Sequence, residues 1–100
     1  MHNTDTVLEL AVFTVKDAAR SQMPQLREQL RTAIQQFPGL IDYQPFSPLG
    51  DGKQFVDVAH WQNLQSAKAA AEAFASGDPR FAPYMAAIDE LQVMQHFVPG

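Results

Sequence analysis

FVDVAHWQNLQSAKAAAEAFASGDPRFAPYMAAID, residues 55–89, is the stretch whose reading decides the fold. Phe55 to Trp61 alternates as a strand does, placing Phe55, Asp57, Ala59 and Trp61 on one face and Val56, Val58 and His60 on the other. Both faces are mostly apolar. Such a strand belongs inside a sheet with something packed on each side, because a half-solvated antiparallel strand carries a polar residue at every second position. Asn63 then offers an N-cap for a helix from Leu64 to Ala75, composed almost entirely of strong helix formers, with Leu64, Ala67, Ala71 and Phe74 as its apolar stripe. Alanine buries little area, so the helix can lie close to a sheet, with Phe74 as its main anchor. Gly77 stops it. Asp78-Pro79 reads as N-cap and first residue of a second, shorter helix, in which Pro83 must fall in the early turns.

Working outward, Val7 to Val15 (VLELAVFTV) is apolar except at Glu9 and Thr14, the pattern of a central, doubly covered strand. Lys16 to Gln22 is a polar connection, and Ser21 is placed to cap a helix that tolerates Pro24 in its first turn. Along that helix Met23, Leu26, Leu30, Ile34 and Phe37 recur at three- and four-residue steps. Gln25, Arg27, Glu28, Gln29, Arg31, Gln35 and Gln36 fill the outer face. Pro38-Gly39 ends it, and Leu40 to Phe46 is a strand that Pro45, with Pro48 just beyond, makes irregular or assigns to an edge. Leu49 to Lys53, around Gly50-Asp51-Gly52, is the turn of a hairpin into the Phe55 strand. Leu91 to Val98 is the last strand, with Leu91, Val93 and Phe97 on one face and Met94, His96 and Val98 on the other. The order is βαββαβ, which puts both helices on one face of an antiparallel four-stranded sheet. Strands one, three and four remain apolar on both faces, so the uncovered face calls for a second copy of the chain across a two-fold axis.

Composition narrows the classes of function. A chain of 100 residues is one domain with a single core. Its net charge of −4, with seven scattered basic residues, lacks the footprint of a nucleic-acid binder. Cysteine is absent, so there is neither a disulfide framework nor thiolate chemistry. No apolar run approaches the ~20 residues of a membrane helix. The opening MHNTDT has no signal-peptide pattern, and residues 1–6 read as a frayed end. The expected location is the cytoplasm. No group of His, Asp and Glu has metal-ligand spacing, and no phosphate loop or nucleophile elbow occurs.

The His60-Trp61 pair, the following SAKAAAEAFASGDPRFAPYMAAID and the upstream Phe37-Pro38-Gly39-Leu40 turn, taken in order and spacing, resemble antibiotic-biosynthesis-monooxygenase-like domains of the dimeric α/β-barrel superfamily. The resemblance runs from about Val7 to Val98. It implies a ferredoxin-like chain that pairs through its sheet with a second copy, with a pocket between sheet and helices. In catalytic members it implies oxygenation of polycyclic phenols or quinols with no metal or flavin cofactor: the substrate loses a proton and its anion passes an electron to dioxygen. Such a pocket needs apolar walls for a flat ring and one or two polar groups to take the proton or hold the anion.

Phe13, Trp61, Phe74, Phe81 and Tyr84 are the candidate wall, and His60, Tyr84, Tyr43 and His96 the candidate polar groups. His60 and Trp61, as strand neighbours, face opposite ways; Trp61 shares its face with Phe55 and Ala59 and takes the helix side, which sends His60 toward the subunit interface. Each candidate also has a plainer reading: large aromatics are core by default, and a lone histidine needs a partner and a perturbed environment before it counts as a base. Two other functions share the scaffold. Haem-degrading relatives use a ligating His on the second long helix, an Asn on the first strand and a Trp; here only the Trp has a counterpart, Trp61, since the helix from Leu64 to Ala75 has no His and strand one has no Asn. A non-catalytic binder of small ligands or a stress-associated accessory protein would use the same dimer without turnover.

Overall fold

The structure, a computed structural model, describes residues 6–100. In chain order it contains β1 (Val7–Val15), a 3-10 segment (Asp17–Gln22), α1 (Met23–Ile34), β2 (Leu40–Phe46), β3 (Gln54–Trp61), α2 (Leu64–Ala75), α3 (Ala82–Ala87) and β4 (Ile88–Phe97). The strands form one antiparallel sheet in the order β2-β3-β1-β4, with the helices on one face. This is the βαββαβ ferredoxin-like arrangement expected from the sequence. Of the three strands read as apolar on both faces, β1 and β3 are the central pair but β4 is an edge and largely exposed; the proline-bearing β2 is the other edge, where Pro45's missing donor is harmless. The frayed end expected before Val7 lies, apart from Thr6, outside the described residues.

Register fixes what each face presents. β1 pairs with β3 as Val7↔Trp61, Glu9↔Ala59, Ala11↔Asp57 and Phe13↔Phe55, and these residues point to the helices. The alternate set, Leu8↔His60, Leu10↔Val58 and Val12↔Val56, forms the open face. Beside it β4 breaks strict alternation. Val12 pairs with Val93 but Phe13 with Leu91, so one extra residue is accommodated and Leu91 turns to the helix side with Met94 and His96. The assignment of Leu91 to the face of Val93 is thus corrected by a bulge that a period of two cannot foresee.

The helices show four further departures. The Lys16–Gln22 connection is mostly 3-10 helix, and α1 starts behind Gln22 with no side-chain cap, so Ser21 does not cap it. On α1, Arg27 is buried, only 7% exposed, and does not belong to the outer face. It stands four residues after Met23 and three before Leu30, squarely in the inward stripe. On α2 the buried residues are Ala67 and Ala70 while Leu64 is 43% exposed, so the stripe is rotated from the expected one. The third helix begins at Ala82, not Pro79. Asp78 closes a local turn by accepting from the Arg80 backbone N–H at 2.9 Å, and Pro83, which has no donor for a helix begun at Pro79, instead occupies the first turn of α3.

The termini of α2 are as expected. Asn63 Oδ1 accepts from the Ser66 N–H at 2.8 Å, and Gly77, at φ +85°, follows the last turn. Gly39 carries the α1–β2 turn at φ +94°, and a Cβ there would collide with the Ser66 side chain. Its carbonyl accepts from the Gln62 N–H at 2.7 Å, so the turn closing α1 is pinned to the start of α2.

Candidate active site

Between the sheet and α1, α2 and α3 the side chains leave a cavity of about 490 Å³. The reason is the composition of α2 and β1. Ala70, Ala71 and Ala75 face Ala11 and Ala59 across a space that larger residues would fill. The core is split accordingly: Phe13, Met23, Leu30, Ile34, Tyr43, Phe55, Phe81 and Tyr84 pack at one end, and Val7, Ala59, Trp61, Ala67 and Ala70 at the other. Phe13, Trp61, Phe74, Phe81 and Tyr84, all read from the sequence as wall candidates, line the cavity, with Phe74 and Phe81 in ring contact at 5.5 Å. Lys68 and Glu72, both exposed on α2, stand at its margin.

Two polar clusters reach this apolar space. At the α1 end Asp57, 8% exposed, is held from several sides. Tyr84 donates its hydroxyl to Oδ2 at 2.5 Å, Tyr43 donates to Oδ1 at 3.0 Å, and Arg27 reaches Oδ1 at 3.1 Å. Arg27 spends its other donors on the Phe46 carbonyl (2.9 Å), the Val56 carbonyl (3.2 Å), Ser47 Oγ (3.0 Å) and the Tyr84 oxygen (3.4 Å), while its guanidinium lies 5.1 Å from the Phe55 ring centre. Burial pushes the Asp57 carboxyl above the usual range against the opposing pull of Tyr84, Arg27 and Tyr43. Burial, and the adjoining carboxylate, also push the Tyr84 and Tyr43 hydroxyls up, so both stay protonated and act as donors.

At the Trp61 end the indole N–H donates to Glu9 Oε1 at 2.8 Å. Glu9 Oε2 lies 3.7 Å from His96 Nε2, a buried nitrogen with no hydrogen-bond partner. Burial raises the Glu9 carboxyl, the Trp61 donor and His96 counter it, and Asp57 adds to the rise. Glu9 faces the cavity; His96 is its cross-strand partner on β4.

Of the polar candidates, Tyr84 and Tyr43 are therefore brought together on one carboxylate, and His96 sits beside a second. His60 is elsewhere: it lies on the open sheet face, its Nδ1 2.7 Å from Asp42 Oδ1, and takes no part in the cavity. Alternation had already sent it there. The groups that sequence reasoning missed are Glu9, Arg27 and Asp57. The signal was present, since Glu9 is the only charge in β1 and Asp57 the only charge among Phe55, Ala59 and Trp61, and a charge on an apolar face requires a partner. Among the described residues no group of three or more His, Asp or Glu is arranged to hold a metal ion.

A four-stranded antiparallel sheet in the order β2-β3-β1-β4 with the helices on one face defines the class as ferredoxin-like. The family model for antibiotic biosynthesis monooxygenases matches residues 6–79, and the chain belongs to that family. Solved structures agree on the fold. A candidate antibiotic biosynthesis monooxygenase from Bordetella bronchiseptica superposes with a TM-score of 0.77 at 12% identity, covering 93% of this chain and 95% of that one. A second, from Chloroflexus aurantiacus, gives 0.72 at 16% identity over 95% and 93%. SnoaB of Streptomyces nogalater, a cofactor-independent oxygenase, gives 0.68 at 19% identity over 96% and 92%. No curated protein matches the sequence.

Proposed function

We propose that the protein is a cofactor-independent monooxygenase acting on a flat aromatic phenol or quinol held in the cavity beside Trp61. The observation that carries this reading is the cavity itself: about 490 Å³, walled by Phe13, Trp61, Phe74, Phe81 and Tyr84, with Glu9 and the Asp57 cluster reaching it and Lys68 and Glu72 at its margin. That is the volume and lining of a small-molecule site, and its flat aromatic walls suit a fused ring system. Family membership and the likeness to SnoaB support the reaction class. For an anthrone-type substrate the chemistry balances without an external reductant. The ring hydroxyl or the acidic methylene loses a proton, the anion gives an electron to dioxygen, and recombination places oxygen on carbon. Both C–H bonds of the methylene break, one oxygen atom becomes the carbonyl and the other leaves as water, and all four electrons come from the substrate. The protein's task is to hold the ring, keep water out and receive the proton.

The open sheet face supports assembly as a two-fold homodimer. Leu8, Leu10, Val12, Val56, Val58 and Val93 lie on it, flanked by Phe46 and Phe97, which are 52% and 43% exposed. An apolar surface of this extent is an association surface. Sedimentation at micromolar concentration should give twice the chain mass, and a lone chain would remove the dimer. For the reaction, oxygen uptake is measured with a panel of quinols and anthrones. Uptake that requires protein supports the oxygenase; no uptake, with a flat aromatic still raising the melting temperature, assigns the cavity to binding alone.

A further inference from the structure

We propose that Glu9 is the catalytic proton acceptor of the cavity: its Oε2 takes the hydroxyl proton of a phenolic ligand while its Oε1 holds the Trp61 indole. This rests on the cavity's being the site of a hydroxyl-bearing aromatic, as argued above, and hydrogen-bond geometry sets Glu9 ahead of the Asp57 cluster. Tyr84 and Tyr43 each place their one hydroxyl hydrogen on Asp57, and burial keeps both protonated. Asp57 in turn already accepts three hydrogen bonds, from Tyr84 on Oδ2 and from both Tyr43 and Arg27 on Oδ1, which leaves one of its four acceptor sites. A base must offer a free lone pair within reach of the proton it removes; the two tyrosines are neutral, weak acceptors, and Asp57 is already held by three donors.

Glu9 differs. Its side chain is only 14% exposed, one oxygen is engaged by Trp61, and the other is 3.7 Å from a polar neighbour on β4, beyond hydrogen-bond length. That neighbour, His96 Nε2, is itself buried and unpartnered. A buried nitrogen left unpaired beside an open carboxylate oxygen costs stability, and the cost is recovered when a ligand hydroxyl seated between them supplies the missing hydrogen bond. The ring that brings it would lie against Trp61, whose N–H already fixes the carboxylate plane. In the step, the aryl O–H bond breaks, an O–H bond forms on Oε2, the carboxylate becomes a neutral acid and the aryloxide remains in the cavity; no electron moves. Burial favours the neutral acid that results, which places the carboxyl nearer to the acidity of the group it must deprotonate. The charged and titratable groups around it are His96 from β4 and Asp57 from β3, with Lys68 and Glu72 of α2 at the margin.

The test uses Glu9→Gln, which keeps an acceptor for the indole and nearly the same volume. Three readouts separate the possibilities. Trp61 is the only tryptophan, so its emission in the ligand-free protein should show a protonation step above the ordinary glutamate range, absent in Glu9→Gln; a flat wild-type titration overturns the assignment. With 1,8-dihydroxyanthrone and dioxygen, Glu9→Gln should lose at least ~100-fold in kcat with KM changed by no more than about threefold. A variant within about threefold of wild-type kcat refutes the proton-acceptor role. If the wild type takes up no oxygen, the oxygenase reading has failed, and Glu9 is judged by binding. 2-Naphthol should then quench Trp61 at a concentration about tenfold lower than its methyl ether, which has no proton to give, and Glu9→Leu should abolish the difference. Equal affinity for the two ligands in the wild type overturns the proposal.

Discussion

Replacing Arg27 with methionine removes a guanidinium that four hydrogen bonds at 2.9–3.2 Å and one at 3.4 Å tie to β2, β3, Ser47 and Tyr84. Methionine fills much of the space but leaves Asp57 in a poorly solvated site with two tyrosine donors and no cation. Breaking one side of a buried ion pair costs about 3–5 kcal/mol, chiefly because the remaining charge is stranded. For a domain of this size each kcal/mol moves Tm by about 4–8 °C, so Arg27→Met should melt at least ~12 °C below wild type. Because the damage lies in the stranded carboxylate, Asp57→Asn in the same chain should restore part of the loss. A double-mutant cycle by urea unfolding at neutral pH should return a coupling of about 1.5 kcal/mol or more. A single variant destabilised by less than about 1 kcal/mol, or a cycle that closes near zero, would show that water reaches Arg27 and that the network does not hold β3 to α1.

Other outcomes follow from the same geometry. Burial raises Glu9 and Asp57, so between the ordinary carboxylate range and the raised values the folded chain binds more protons than the unfolded one; this stabilisation is complete at acid pH and fades as pH rises through the folded-state values. Urea titrations should therefore show Glu9→Gln gaining on wild type from mildly acid to neutral pH, and the opposite trend would contradict the direction of the shift. Gly39→Ala forces a side chain into a left-handed position and into Ser66, and should lower stability by about 1–3 kcal/mol in chemical unfolding, partly relieved by Ser66→Ala. Asn63→Ala should cost about 1 kcal/mol through the lost cap, with little change in ligand binding. Val58→Lys, at the middle of the open face, should give a folded monomer by sedimentation if that face is the dimer interface.

Much of the fold was legible because it depends on periodicity and punctuation. The doubly apolar β1 and β3, the Asn63 cap, the Gly77 stop and the edge position of the Pro45 strand all express local rules that the tertiary structure leaves intact. What escaped were features set by partners distant in the chain. The bulge that turns Leu91 inward is a property of the β1–β4 register, and the rotated stripe of α2 reflects a cavity that Leu64 does not reach. The candidate site divides in the same way. Its aromatic wall was readable as large residues on inward faces, whereas Arg27 was assigned to solvent by its charge although its spacing from Met23 and Leu30 put it inside. Glu9 and Asp57 were visible as charges out of place. Their meaning required seeing that Asp57 is held by donors from three elements while Glu9 keeps one oxygen without a donor.

A crystal structure with a non-oxidisable dihydroxyanthraquinone bound gives the sharpest test of the cavity as the seat of function. The rings should lie against Trp61 and Phe81, with a ring hydroxyl at hydrogen-bond distance from Glu9 Oε2. Density for the ligand on the open sheet face or outside α2, with the space beside Trp61 left as it is, would contradict the account.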